Sequence, residues 1–477
     1  MTVGLESCPT EIIDSIAKCL DVTDAGSLRL SSRCLRAKAT QAHFRSYFHL
    51  KRVKVSSRHL EKLEEVTRRG SFGCEIRDLT LVGVVNNTKR LEANVERRPK
   101  DAESQRHLEI LQERRREYEQ SRDSGSIVRL LSDAFKNIAV NTVAGKLHSL
   151  SLEVVVYRHD ADHELPPVDG GSWRLIWQSA AETFRIVFAA LQESQLQVDE
   201  LNLYNGSQLQ RCSIAINEFS SVDFSDPKLS QTLGSVRSLS ISVSDRILDL
   251  AREEQESGDS ADEISNYSTD SDEDLELEAV MLKAHDPNNF TGLADLITAC
   301  SNLQSLSIHQ YGLNNRCFYR KCIFQCSIAR FPTLPPIEQC TLSGVYLHEN
   351  DLLAFLGKCS ASLREFSMRT VTMMYGSAFR ACFEYLASGQ VPNLEYLYLD
   401  GLSSMGSPIY FADVGEPRFS VVDSHGGNAL ERNGREDARR PIVYSSPSPI
   451  FAPVTAERKK WLQEQRREYD VPTFWRS

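Results

Sequence analysis

The stretch LREFSM (Leu363–Met368) returns 31 residues later as LEYLYL (Leu394–Leu399). Both follow one pattern, apolar-x-x-apolar-x-apolar. The pattern also stands at IRDLTL from Ile76, LHSLSL from Leu147, VDELNL from Val198, VRSLSI from Val236, LQSLSI from Leu303 and IEQCTL from Ile337. Its second half alternates apolar and polar, the period of a strand with one buried face. Most copies follow a helical stretch, such as SAAETFRIVFAALQ before Val198 or ENDLLAFLGKC before Leu363. No such unit can bury its own apolar strand face, so neighbouring units must stack. The expected fold class is α/β, a solenoid with parallel inner strands and outer helices.

The last three steps between copies are 34, 26 and 31 residues, near the spacing of a leucine-rich repeat. Earlier steps of 71, 51, 38 and 67 residues are too long, and two inserts explain most of the excess. Residues 89–123 are charge-laced and read as an exposed helix or a mobile arm. Residues 252–278 are acidic, with twelve acids and no Lys or Arg from Glu253 to Glu278. A segment so poor in apolar side chains cannot offset chain entropy and is expected to be disordered. The division predicted is a helical unit over 1–48, the repeats over 49–402, and an irregular region over 403–477 that ends in a basic helix.

Composition narrows the function. The chain has 477 residues, 41% apolar and 25% charged, ordinary globular values. Its net charge is −10, and without the acidic segment it becomes +2. That argues against a protein that coats nucleic acid. No stretch approaches the ~18 apolar residues of a membrane span. The start, MTVGLESCPTEIID, lacks the basic and apolar regions of a secretion signal. The twelve cysteines are then expected as thiols in the cytoplasm and/or nucleus.

The first 50 residues carry a second pattern. Pro9 suits a helix start, and Ile12, Ile13, Ile16, Cys19 and Leu20 follow at helical spacing. Thr23 or Asp24 offers the next N-cap, before Leu28 and Leu30. Arg33 to Phe44 reads as a third helix with Leu35, Ala39 and Ala42 inward. The ordered run Leu5, Pro9, Glu11, Ile12, Ile13, Ile16, Leu20, Asp24, Leu28, Arg29, Leu30, Ser31, Ser32, Arg33 resembles an F-box. It departs from that family at Cys8 and Ala25, which hold smaller side chains at apolar positions. The alternative is a three-helix cap that seals one end of the repeats.

The remainder resembles the divergent leucine-rich-repeat tails that follow an F-box in many proteins of filamentous fungi, on stretches such as DLLAFLGKCSASLREFSM and VPNLEYLYLDGL. The Asn or Cys that family carries two residues past the repeat core is replaced, by Val345, Val371 and Leu402 among others. The resemblance implies the substrate-recognition subunit of a cullin-RING ubiquitin ligase. The F-box would dock a Skp-type adaptor through Leu5, Pro9, Ile12, Ile13, Ile16, Leu20 and Leu28, and the repeats would hold a target protein. It implies no catalysis, no cofactor, no nucleic acid and no membrane. The other function considered is a protein-interaction scaffold without a ligase.

On the repeat strands, the residue between the last two apolar positions points away from the core. Those residues are Thr80, Ser151, Asn202, Ser240, Ser307, Thr341, Ser367 and Tyr398. Two positions on, the same face is expected to carry Tyr204, His309, Arg369 and Asp400. Tyr204, His309, Arg369, Tyr398 and Asp400 are the candidate target contacts, since Tyr and Arg are enriched where binding energy concentrates; the bland alternative is a solvated sheet face. Cys317, Cys322, Cys326 and Cys340, with His309 near, are spaced unlike a zinc knuckle and read as structural thiols. Ser271 precedes Asp272, Glu273 and Asp274 and suits an acid-directed kinase. Lys459, Lys460, Arg466 and Arg467 read as a solvated helix end, and Trp173 and Trp177 as core. No G-x-S-x-G, P-loop or H-E-x-x-H occurs. A hydrolase on the C-terminal loops, using His425, is the remote third option.

Overall fold

The computed structural model describes residues 4–244, 289, 291–311, 334–411 and 429–445, apart from 70–71, 143, 170, 172, 207–208, 210, 375–376 and 405–406. The acidic insert with Ser271, the thiols Cys317, Cys322 and Cys326, His425 and the basic C-terminal stretch lie outside the described residues.

The protein is α/β, built on a mostly parallel sheet of eleven strands. Along the chain the strands are β1 (Leu50–Lys54), β2 (Asp78–Asn86), β3 (Lys146–Tyr157), β4 (Gln197–Leu203), β5 (Ile214–Ala215), β6 (Ser238–Ser244), β7 (Ser305–Tyr311), β8 (Gln339–Ser343), β9 (Tyr346–Leu347), β10 (Glu365–Arg369), β11 (Thr372–Met373), β12 (Tyr396–Asp400), β13 (Ser403–Ser404), β14 (Ser407–Pro408), β15 (Tyr410–Phe411), β16 (Ala429–Asn433) and β17 (Tyr444–Ser445). The main sheet runs β1-β2-β3-β4-β6-β7-β8-β10-β12-β16, with β5 beside the end of β6. Each of its strands through β12 lies parallel to the next, and β16 closes the edge antiparallel.

All eight six-residue copies lie in this sheet in a single register. Leu79, Leu150, Leu201, Leu239, Leu306, Cys340, Phe366 and Leu397 pair in succession, as do the apolar residues two positions later. The three apolar positions of every copy are buried. A slip of one residue would turn that whole set to water, and this is what holds the register.

Helices link the strands. They are α1 (Thr10–Ala17), α2 (Val22–Ser31), α3 (Arg33–Ala39), α4 (Ala42–Ser46), α5 (Ser57–Arg68), α6 (Lys89–Arg97), α7 (Ala102–Asp123), α8 (Ser126–Asn141), α9 (Trp173–Ser194), α10 (Pro227–Leu233), α11 (Thr291–Ala299), α12 (Glu349–Cys359), α13 (Arg380–Ala387) and α14 (Arg435–Ala438). The apolar faces of α5, α8, α9, α10, α11, α12 and α13 join the inward strand residues in one continuous core. Trp177 is fully buried there, with Trp173 edge-on to it at 4.7 Å.

The charged insert over 89–123 differs from an exposed arm. Its two helices pack on the opposite sheet face, where Leu91 and Leu111 meet Val82, Val155, Tyr157 and Ala161 in a separate cluster. Asp101 caps α7 by accepting from the Ser104 amide. His107 Nδ1 accepts from the Ala161 amide at 3.0 Å, and Arg114 donates to the Ala161 carbonyl at 2.6 Å. The α6–α7 pair therefore roofs the open face at β2 and β3.

In the last three units the chain turns on a left-handed residue just past the strand, at Gly344 (φ +65), Thr370 (φ +53) and Gly401 (φ +60). The next residues, Val345, Val371 and Leu402, are buried where the resembled family carries Asn. The chain then enters β9, β11 and β13, the parallel part of a second, four-stranded sheet with β14. The short strands β15 and β17 pair antiparallel.

The N-terminal helices form a small unit of their own. Asp21 caps α2 through the Asp24 amide, and Ser32 caps α3 through the Leu35 amide. Pro9 sits at the N-cap of α1, ahead of the helix. The third helical stretch is interrupted: Ala42 is exposed on a separate short helix, and Phe44 is the buried residue there. Ile13, Leu35 and Ala39 are the core, with Cys8, Ile16 and Leu28 packed against it. An aromatic clamp fastens the unit to the sheet. Phe48 stacks on Phe72 at 4.6 Å, and the Arg29 guanidinium lies 4.0 Å from the Phe44 ring centre and 4.7 Å from that of Phe72. Arg45 pairs with Glu75 at 2.9 Å beside it.

Candidate functional site

Two surfaces hold most of the described residues singled out by sequence. The first is the helical unit. Leu5 and Ile12 are each 50% exposed, and Pro9 between them is exposed as well. Ile16, Leu20 and Leu28 are half-buried. Ile13 is a correction: it is completely buried, so it supports the unit from inside and offers no contact to a partner. Adjacent residues on a helix point about 100° apart, so Ile12 and Ile13 cannot share one face.

Sequence reasoning missed other members of this surface. Val22, Leu30, Tyr47 and Leu50 are exposed too, Leu30 at 89%. Among the described residues, six of the nine exposed large apolar side chains fall within residues 5–50. Leu28 and Leu30 stand two apart on one helix, so one of them had to face out. Concentrated exposed apolar groups of this kind mark interaction sites more often than scattered ones do.

The second surface is the sheet face opposite the connecting helices. From β4 onward it carries a ladder of small polar groups, with Asn202, Ser240, Ser307, Thr341, Ser367 and Tyr398 side by side. Asn205 spans part of it. Its amide donates to the Ser240 hydroxyl at 2.9 Å and the Ser307 hydroxyl at 3.0 Å. At the far end Arg369 reaches over Tyr398, 5.0 Å to the ring centre, and the Tyr398 hydroxyl donates to Asp400 at 3.4 Å. Burial and the Asp400 carboxylate raise the Tyr398 phenol above its ordinary pKa. Arg369, Tyr398 and Asp400 are therefore brought together.

Tyr204 is not on this face, a second correction. It is 1% exposed, and its hydroxyl donates to the Ala180 carbonyl at 2.9 Å inside the core. The cause is local. Tyr204 adopts φ +62, so the strand's alternation ends one residue before it. His309 lies on the face but half-buried, its Nδ1 2.9 Å from the Ser242 hydroxyl, which is itself 3.1 Å from the Cys212 carbonyl. Burial pushes the imidazole down to about 4, so it is neutral near pH 7.

The near end holds a charged network that sequence reasoning also missed. Arg52 binds Glu153 at 2.9 Å and Glu164 at 3.1 Å, Lys54 pairs with Glu164, and the Tyr157 hydroxyl joins them. Burial alone would raise the Glu164 carboxyl, yet the bonded Lys54 and Arg52 hold it below its ordinary value. The alternation of KRVKV over residues 51–55 was the available signal: Arg52 and Lys54 share a face.

Cys340 lies in the core, where burial pushes its thiol well up and makes it a poor metal ligand. Among the described residues no three metal-ligating side chains come together. Among them, too, no helix is long and apolar enough to cross a membrane. No protein-family model matches the chain, and no curated protein matches it.

Proposed function

We propose that this chain is an F-box protein with a leucine-rich-repeat-like solenoid, the substrate receptor of a Skp-cullin-F-box ubiquitin ligase. In this reading the helical unit docks a Skp-type adaptor. The open face from Asn202 to Asp400 holds the target. The observation that carries it is the concentration of exposed apolar side chains on the N-terminal unit beside a long, one-register parallel sheet. Leu5, Pro9 and Ile12 are the adaptor anchors, and Arg369, Tyr398 and Asp400 the principal target contacts. The receptor performs no chemistry. It raises the local concentration of target lysines near a charged ubiquitin carrier, an effect of tethering alone. Its place of action in this reading is the cytoplasm and/or nucleus.

The test is co-purification with a Skp-type adaptor, full-length protein against Leu5→Asp/Ile12→Asp. Binding that the double substitution abolishes supports the receptor. Failure of folded full-length protein to bind leaves the repeats as a ligase-free interaction scaffold, with the helical unit as their cap.

A further inference from the structure

The charge of the N-terminal region is segregated along the chain. From Ala25 to Leu60 there are nine Arg and Lys and no Asp or Glu. The acids of the helical unit, Glu6, Glu11, Asp14, Asp21 and Asp24, all precede that stretch, and Asp14 is paired with Lys18 at 3.2 Å.

Some of the nine cations have internal work. Arg29 lies in the aromatic clamp, Arg45 pairs with Glu75, and Arg52 and Lys54 belong to the Glu164 network. Arg33, Arg36, Lys51 and Arg58 are exposed, and among the described residues none of them meets a carboxylate. Lys38 is placed beside the apolar anchors. Its ammonium donates to the carbonyls of Glu6 and Cys8, both at 2.7 Å, between Leu5 and Pro9. Two of its three N–H bonds are used there, and the third is left for another acceptor. The clamp of Phe44, Phe48 and Phe72 holds the helical unit against the first strands, so these cations sit on one end of the molecule. The exposed Leu30 and Leu50 lie in the same stretch.

We propose that the helical unit, β1 and the first turn of α5 form a cationic, partly apolar docking surface for a protein partner rich in carboxylates. Charge steers the encounter, and Leu5, Pro9 and Ile12 then seat. This rests on reading the helical unit as a docking module. Complementary charge acts chiefly on the association rate and loses that effect as salt rises. Single-stranded nucleic acid would call for several aromatic platforms, whereas Leu5, Ile12, Val22, Leu30 and Leu50 are aliphatic, and Tyr47, the one exposed aromatic with them, is tied to the Leu20 carbonyl at 2.7 Å and set edge-on to Phe44. A membrane surface would call for one amphipathic helix face, whereas these side chains come from a turn, two helices and a strand.

The test uses full-length protein and an Arg33→Gln/Arg36→Gln/Lys51→Gln/Arg58→Gln variant, with an unchanged melting curve required. Each is measured against a purified Skp-type adaptor and, separately, against poly-L-glutamate, duplex DNA and anionic phospholipid vesicles. The expected result is an adaptor association rate that falls about tenfold or more between about 50 and 500 mM salt, and about tenfold in the variant, with dissociation little changed. Poly-L-glutamate should bind at low salt and be lost in the variant. A salt-insensitive association rate, no binding of poly-L-glutamate, or tighter binding of DNA or vesicles overturns the proposal. Poly-L-glutamate bound through these four residues with no adaptor binding at any salt upholds the acidic-partner surface and overturns the adaptor reading instead.

Discussion

The guanidinium of Arg369 on β10 lies 5.0 Å from the ring centre of Tyr398 on the neighbouring strand. The two residues are diagonal across the pair, since Arg369 is opposite Asp400 and Tyr398 is opposite Ser367. Arg369 is exposed and Tyr398 half-buried. A contact of this kind orders an exposed cation against a ring while adding little to stability.

A double-mutant cycle on Arg369→Ala and Tyr398→Ala should therefore return a coupling of about 0.5–1 kcal/mol in urea unfolding. Each single substitution should cost about 1 kcal/mol or less. A coupling near zero would mean that the pair is not formed in solution.

Ile12 and Ile13 should separate docking from folding. Ile12→Asp exchanges one exposed side chain for another and should stay within about 0.5 kcal/mol of the parent. Ile13→Asp puts a charge among Leu35, Ala39 and Leu28 and should unfold the helical unit. Helical circular dichroism on heating reads the folding effect, and adaptor capture reads docking. Equal loss of helix in both variants would contradict the assignment of Ile13 alone to the core.

The parity of side chains explains how far the sequence was legible. Eight copies of a six-residue pattern with three buried positions each leave one register, and the sheet follows. Tyr204 was misplaced because alternation was carried one residue past the strand, where the backbone turns left-handed. The roof made by α6 and α7 was illegible because its contacts, Leu91 and Leu111, lie on two different helices in a stretch dominated by charge. Strand β1 was missed because only Val53 is buried in it.

Tyr204→Phe removes a hydroxyl that donates to the Ala180 carbonyl in the core. The expected cost is about 1 kcal/mol in chemical denaturation. Target binding should be unchanged, since the ring lies on the helix side of the sheet. A loss of binding without a loss of stability would return Tyr204 to the open face.

His309 makes stability depend on acid. Its folded-state pKa is about 4, against an ordinary value of 6.5. A base whose pKa is lowered on folding stays neutral in the native protein while the unfolded chain takes up a proton. The contribution is thus absent above about pH 6.5 and grows as pH falls toward 4, reaching about 3 kcal/mol of destabilisation. Carboxylates titrate in the same window, so the informative quantity is the difference between parent and His309→Gln. That difference should shift in favour of the variant between about pH 7 and pH 4.5 by about 2 kcal/mol or more. Parallel pH profiles would place the imidazole in water.

Gly344 tests the left-handed turn that sends the chain from β8 to β9. At φ +65 a side chain is strained, and a Cβ there would stand 2.6 Å from the Gln310 carbonyl oxygen on β7. That oxygen belongs to backbone held in the sheet, so it cannot swing aside as a side chain would. Gly344→Ala should cost about 1–3 kcal/mol. Gly389 provides the control. It too has positive φ, +79, but nothing lies within 4 Å of its would-be Cβ, so Gly389→Ala bears the backbone strain alone. The first substitution should therefore lower the melting temperature more than the second. Equal effects would assign the whole cost to backbone conformation and none to the close approach of β7.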